Sequence, residues 1–445
     1  MEIRTLQPTN PKCGIAARAV TTKSNLGRVA AGLGSALLIF ASHLHAANGS
    51  WNTNASGNWS TAGNWSPAIV PGTVAGDTVD LRVNITAART NTIDTTSRTV
   101  GTLNMGDSGT NYFAYTLAAS GGATLTFDNS GSGAALNTTN ASTATEMLSV
   151  PLVLRDTLTV TAGNSHPLTI SGAIGENGLR NFTKAGAGLL TLSAANSYSG
   201  LTTVSGGVLR LSDATALPGG IGPSGGTSAL TLNGGVVELA SDDFLRDLGT
   251  GSAQFQIPGG TSGFSAQGAA RYVIVNYTDS QEIQWGGTHF NPSTLVLNAA
   301  TANNTLTLQN KMDLNGATRA VAVNANTATM SGDIRTASGT AGLTKSGAGT
   351  LVLAGTNSYN GATTVSGGIL QFAQEAALYN NVAANWTASL ITVSNGTTLA
   401  LNAGGTGEFT SSDIDTIKAI GTATNGFTSG SMLGLDTSNA GGTFA

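Results

Sequence analysis

Few residues in this chain have the type and spacing that chemistry needs. Two carboxylate pairs stand close in sequence, Asp242 with Asp243 and Asp413 with Asp415. A pair of this kind could cleave a glycosidic bond, one group as acid and the other as base or nucleophile, or could hold a hard cation. Adjacent residues in a strand point to opposite faces, so Asp242 and Asp243 would diverge, whereas Asp413 and Asp415 could share a face. Neither pair has a basic residue in register, and solvated turn carboxylates account for both. His166, before Pro167, and His289 lie far apart with no third ligand or nucleophile between them, so neither a zinc site nor a Ser-His-Asp arrangement has support. The calcium-binding nonapeptide G-G-x-G-x-D is absent. Asn-x-Ser/Thr triplets such as Asn58-Trp-Ser60 are plentiful, as an Asn/Ser/Thr-rich composition demands. The sequence therefore names no catalytic, cofactor-binding or metal-binding residue.

The elements that would have to position any site come from one stretch used twice, Thr183 to Leu211 and Thr344 to Phe372, identical at 18 of 29 ungapped positions. Within each copy aliphatic residues recur two apart: Leu190/Leu192, Thr202/Val204 and Leu209/Leu211, then Leu351/Leu353, Thr363/Val365 and Leu370/Phe372. This period predicts three short strands per copy with an apolar inner face, while Thr191, Arg210, Val352 and Gln371 point outward. Corners are expected at Lys184–Gly188, Asn196–Gly200 and Ser205–Gly207, which are rich in residues that tolerate positive φ. Strands this short cannot bury an apolar face alone, so turns must stack into an all-β parallel solenoid. Echoes of Pro151–Leu154 at Lys311–Leu314, of Leu168–Ile174 at Ala328–Ile334 and of Thr231–Leu239 at Val393–Leu401 extend the unit to about 160 residues, a long internal period of the kind that marks repeat architectures.

The pattern G-L-T-K-x-G-x-G-x-L-x-L-x-x-x-N-x-Y-x-G-x-T-x-V-x-G-G-x-L, complete at Gly342–Leu370, resembles the autotransporter-associated β-strand repeat, or passenger-associated transport repeat, of bacterial surface proteins. The first copy departs from it in Arg180-Asn181-Phe182 before Thr183 and in Leu189. The resemblance implies a right-handed parallel β-helix exported across two membranes, a secreted or cell-surface stalk or adhesin-like passenger without catalytic activity, and an outer-membrane translocator barrel outside this chain. The rival reading is a polysaccharide-active β-helix lyase or hydrolase, which would need acidic and basic residues of neighbouring turns in one groove.

In chain order, residues 1–46 read as a signal peptide: Arg4, Lys12, Arg18, Lys23 and Arg28 are basic, Val29–Ala41 is apolar, and Ala46 offers a small residue at the cut. A signal anchor is the alternative. Removing five of the 19 Lys/Arg and one of the 23 Asp/Glu leaves 14 against 22, a net charge of −8. Such a chain has no basic patch for nucleic acid. The single cysteine, Cys13, leaves with the signal. Residues 47–136 are expected to form an N-terminal cap and early turns. There Trp51, Trp59 and Trp65 read as a lid over the open core, or alternatively as a sugar-stacking surface. Strands are expected at Thr78–Val83, Thr99–Leu103, Tyr115–Leu117 and Ala123–Phe127.

Residues 137–297 make the first long unit, with a less regular segment at 242–291. Its strand Arg271–Tyr277 is apolar on both faces and is expected to be covered on both by a loop or flap. Residues 298–445 make the second unit and the start of a third; with no lid or barrel strand before Ala445, the chain is expected to be the truncated N-terminal portion of a longer protein, a short secreted member being the alternative. Asp413–Ile420 reads as a short helix or a corner loop. An open last turn would associate end to end near Leu433 and Leu435. Surface glycans or neighbouring cells are the partners such a rod could meet.

Overall fold

A computed structural model describes residues 46–138, 144–164, 166–223, 225–277, 282–421 and 425–441. The signal-peptide reading falls almost wholly outside them. The described chain is a parallel β-helix. Its longest sheet has fourteen strands, one from each successive turn, beginning at Gly57–Asn58 and ending at Ile391–Val393. At roughly twenty to twenty-five residues per turn, on the order of seventeen turns are expected. The difference lies in long connections such as residues 212–229 and 298–305, which lengthen single turns without adding strands.

We call the ten-stranded sheet that ends at Phe255–Gly259 the first face and the fourteen-stranded sheet the second. A four-stranded sheet, Arg98–Val100 to Ile174–Glu176, closes the early turns as a third face. In later turns an eight-stranded sheet, Phe244–Arg246 to Met432–Asp436, follows the second face, and a three-stranded one, Ile283–Gln284 to Ile334–Arg335, follows that. Leu190, Leu192, Leu209, Leu211, Leu351, Leu353, Leu370 and Phe372 all point inward and are buried, and they join one core cluster that runs from Trp51 to Ile420.

Each copy of the repeat holds four strands, not three, and spans two turns: Phe182–Ala185, Leu189–Leu192, Thr202–Val204 and Gly207–Leu211, then Leu343–Ser346, Thr350–Leu353, Thr363–Val365 and Ile369–Phe372. The two copies do not lie on the same faces. Phe182–Ala185 belongs to the first sheet and Leu189–Leu192 to the second, whereas Leu343–Ser346 belongs to the second and Thr350–Leu353 to the eight-stranded sheet. The echoes outside the motif shift the same way: Leu152–Leu154 is in the four-stranded sheet and Met312–Asp313 in the three-stranded one. The unit is thus a whole number of turns plus one face, and identical motifs look out from different sides.

At the N-terminal end Trp65–Ser66 pairs antiparallel with Gly49–Trp51 and finishes the edge of the first sheet. Trp51, Trp59 and Trp65 are all buried, their rings 5.0 and 4.8 Å apart between centroids, so they pack as a lid does and present no ring face to a sugar.

Two local expectations need correction, and one open alternative is decided. The expected strand Thr99–Leu103 is two strands on different faces, Arg98–Val100 and Thr102–Met105, because Gly101 turns the corner with its N–H on Asp77 O. The expected strand Arg271–Tyr277 ends at Val275 and is covered on one face only: Val273 and Val275 are buried, Tyr272 on the other face is 45% exposed, and Tyr277, in the turn beyond, is 44% exposed. A covering loop does exist, elsewhere. Residues 298–305 fold back on the outer face of the second sheet, where Ala299 joins Val236, Val296 and Ala322 in a small apolar cluster and Thr301 Oγ1 donates to Glu238 Oε1 at 2.5 Å. Of the two readings of Asp413–Ile420, the helix is the one that forms: Ser411–Lys418 is helical and capped by Thr410.

Inward and outward positions of one strand should respond differently to truncation. Leu353→Ala is expected to cost about 2–5 kcal/mol through the cavity it leaves, and Val352→Ala, one residue away and facing out, no more than about 0.5 kcal/mol; denaturant titration checks both.

Candidate functional site

Neither carboxylate pair converges. Asp242 is exposed, and Asp243 accepts the Tyr272 N–H at 2.9 Å, holding a corner. Asp413 is the reciprocal half of the helix cap, accepting the Thr410 N–H at 2.8 Å while Thr410 Oγ1 accepts the Asp413 N–H. On a helix, residues two apart do not share a face, so Asp415 is no partner for it. The carboxylate that does meet Asp413 is Glu375, whose pKa is raised by burial first and by Asp413 second. His166 is buried with neither ring nitrogen bonded among the described residues, and burial lowers its pKa. His289 lies in a corner of a later turn, its Nδ1 3.4 Å from Gln256 Oε1. Among the described residues no group of three or more His, Cys, Asp or Glu is placed to hold a metal ion.

The polar residues that the repeat does bring together lie inside. Lys184 shares its strand face with Phe182, and Lys345 with Leu343, so a period of two turns both lysines inward, and both are fully buried. The Lys184 ammonium donates to Ala185 O, Gly186 O and Gly206 O at 2.9, 2.8 and 3.0 Å. Lys345 donates to Gly347 O at 2.6 Å, Gly367 O at 2.7 Å and Gly349 O. An ammonium has three donors, and each lysine spends all three on carbonyls from two successive corners. Burial pushes both down to about 8. The glycines are needed because the carbonyls crowd: Gly347 has φ +79°, and a Cβ there would sit 2.3 Å from Val323 O.

The next corner uses asparagine. Asn196 Oδ1 accepts Ile174 N–H at 2.8 Å and its Nδ2 donates to Ala216 O at 2.7 Å. Asn357 repeats this with Ile334 N–H at 2.9 Å and Ala377 O at 2.8 Å. One amide therefore ties the turn below to the turn above. Beside it, Tyr198 and Thr202 share a hydrogen bond of 2.8 Å and Tyr359 and Thr363 one of 2.7 Å, all four side chains buried. Sequence reading put Lys184 at the start of a corner and missed these roles. The signal was available: Lys, Asn, Tyr and Thr are identical in both copies, and the lysines have inward parity.

Two further polar groups are buried outside the repeat's pattern. Glu238 accepts from Arg210 Nε at 2.5 Å and Ser265 Oγ at 3.1 Å beneath the 298–305 loop. Glu146 points into the core. Its Oε2 accepts the Tyr115 N–H at 2.6 Å, its Oε1 has no partner among the described residues, and burial raises its pKa to about 8.

Comparison with known proteins agrees with this geometry. Residues 182–211 and 343–372 match the model of the passenger-associated-transport-repeat, so these two segments are such repeats. An autotransporter named adhesin BmaC, from Brucella suis biovar 1 (strain 1330), is 31% identical over a region that covers 44% of this chain and 7% of that protein. The chain thus spans a small part of that curated relative. No solved structure matches it.

Glu146 makes stability depend on pH. Its pKa is raised from 4.5 to about 8, so the folded chain keeps a proton that the unfolded chain releases. The resulting stability is complete below about 4.5 and is lost as pH rises through about 8. Thermal unfolding of the parent chain is expected to fall across that window relative to Glu146→Gln, whose side chain stays neutral; parallel pH curves would contradict this.

Proposed function

We propose that this chain is a segment of an autotransporter passenger, a rigid stalk with adhesin-like surfaces displayed outside a two-membrane bacterium, without catalysis of its own. One observation carries the reading. The invariant polar residues of both repeats, Lys184/Lys345, Asn196/Asn357 and Tyr198/Tyr359, are spent on satisfying backbone and hydroxyl groups inside the solenoid. Residues that a catalytic reading would recruit, Asp243, Asp413 and Glu238, are each engaged in a structural hydrogen bond. Two repeats match a family defined by passenger transport, and the relative whose name includes adhesin supports the same placement.

The division into residues 1–46 as signal peptide, 47–136 as cap and early turns, 137–297 as first unit and 298–445 as second belongs to this proposal, as do the translocator barrel as partner and surface glycans as ligands. A chain of this kind, expressed in a two-membrane host with a translocator barrel fused after it, is expected to become protease-accessible on intact cells. A glycan display combined with a reducing-sugar release assay then separates the classes. Binding without turnover supports adhesion, and turnover of any polysaccharide refutes the stalk reading.

A further inference from the structure

The corners between the third and first faces carry a polar opening that the repeat does not need. It is about 490 Å³ in volume, within the range of about 300–1,000 Å³ common for ligand sites, and is lined by Asp128, Gly131, Arg155, Asp156, Asn177 and Arg180. These residues come from three successive turns. Asp128 and Gly131 follow the strand Leu125–Phe127, Arg155 and Asp156 follow Leu152–Leu154, and Asn177 and Arg180 follow Ile174–Glu176. The three strands pair in that order, so the corners are stacked at about 4.8 Å per turn.

Neither arginine pairs with a carboxylate among the described residues. Arg155 is exposed, and its guanidinium has no hydrogen bond or ion pair among the described residues. Arg180 donates from Nη1 to the neighbouring Leu179 O at 3.1 Å, while its Nε is buried without a partner. The Asp156 carboxylate, by contrast, is occupied: its Oδ2 accepts Asn129 N–H at 2.6 Å and Gly131 N–H at 3.0 Å. Asp128 uses Oδ1 on Ser130 N–H at 3.0 Å. Two guanidinium groups that pair with no carboxylate among the described residues, beside Asp156 and Asp128 whose carboxylates turn to backbone N–H groups, form a site for an anion that also offers hydroxyls.

The second unit shows that the fold does not require them. By the same offset that superposes Leu154 on Leu314, Arg155 corresponds to Asn315, and by that which superposes Phe182 on Leu343, Arg180 corresponds to Ala341. The equivalent corner therefore builds without either guanidinium.

We propose that this opening binds an acidic sugar residue, a uronic acid within a polysaccharide. Arg155 and Arg180 take the sugar carboxylate, which suits the planar guanidinium fork. The free Asp128 oxygen and the exposed Asn177 amide take ring hydroxyls. The proposal deepens the adhesive reading by naming a ligand class and a place for it.

The test uses the full chain and trigalacturonate, with its fully methyl-esterified form as the neutral control, by isothermal titration. Trigalacturonate is expected to bind and its ester to bind at least about tenfold more weakly, with affinity falling as salt rises. Arg155→Gln with Arg180→Gln should lower affinity by about tenfold or more, whereas Arg89→Gln, which loses only contacts to Asn54 and Thr86, should not. Equal binding of acid and ester, binding by the double variant equal to the parent's, or no binding of trigalacturonate at millimolar concentration would each overturn the proposal. The acid–ester comparison needs no variant, so it decides even if the double substitution unfolds the chain. A failure here leaves the stalk reading intact, because that reading is tested by turnover and surface display.

Discussion

Everything in this structure depends on satisfying backbone carbonyls and amides at the corners. Along a strand the ladder pairs each group with the turn above and below. At a corner the chain swings out of that direction, and groups turned toward the core meet no water. An unpaired polar group there costs of the order of 1–3 kcal/mol, and a solenoid repeats the problem on each turn. The repeat solves it with side chains that grow inward from the corner itself. Lys184 and Lys345 each gather three carbonyls, and Asn196 and Asn357 each clamp one amide and one carbonyl from different turns. A charge buried without a carboxylate partner is normally unfavourable; here three short carbonyl contacts replace its hydration.

This arrangement divides the labour between inside and outside. Since the repeat's invariant polar residues are committed to the interior, its outer positions are free to vary: Arg210 lies where the second copy has Gln371, and Leu189 where it has Thr350. The displacement of the second copy by one face adds to this. The same backbone motif places different side chains on different sides of the β-helix, and the loop 298–305 then hides one patch around Glu238. A passenger built in this manner can keep its folding instructions fixed while its surface changes.

Much of this was legible in the sequence. Inward aliphatics obey a period of two that no other arrangement of short strands would satisfy, and the doubled stretch forces stacking. Other features needed three dimensions. The shift by one face depends on the summed lengths of irregular connections between the copies, which no local pattern reports. Lys184 was read only as the start of a glycine-rich corner, although its parity with Phe182 pointed inward. Arg271–Tyr277 misled because Tyr272 on the outer face and Tyr277 past the strand's end looked like buried surface. The arginine opening draws on corners about 25 residues apart in sequence, a spacing set by the length of one turn.

The corner account is tested most directly by native-state hydrogen exchange on Lys345→Met. The amides of Ser366 and Ile369, which donate to Lys345 O and Gly349 O, should lose protection together with the surrounding second repeat. The equivalent amides Ser205 and Val208, donating to Lys184 O and Gly188 O, should keep theirs, because stability in a solenoid is local. Unchanged protection at Ser366 and Ile369, or equal loss in both repeats, would contradict the claim that each buried lysine holds its own corner.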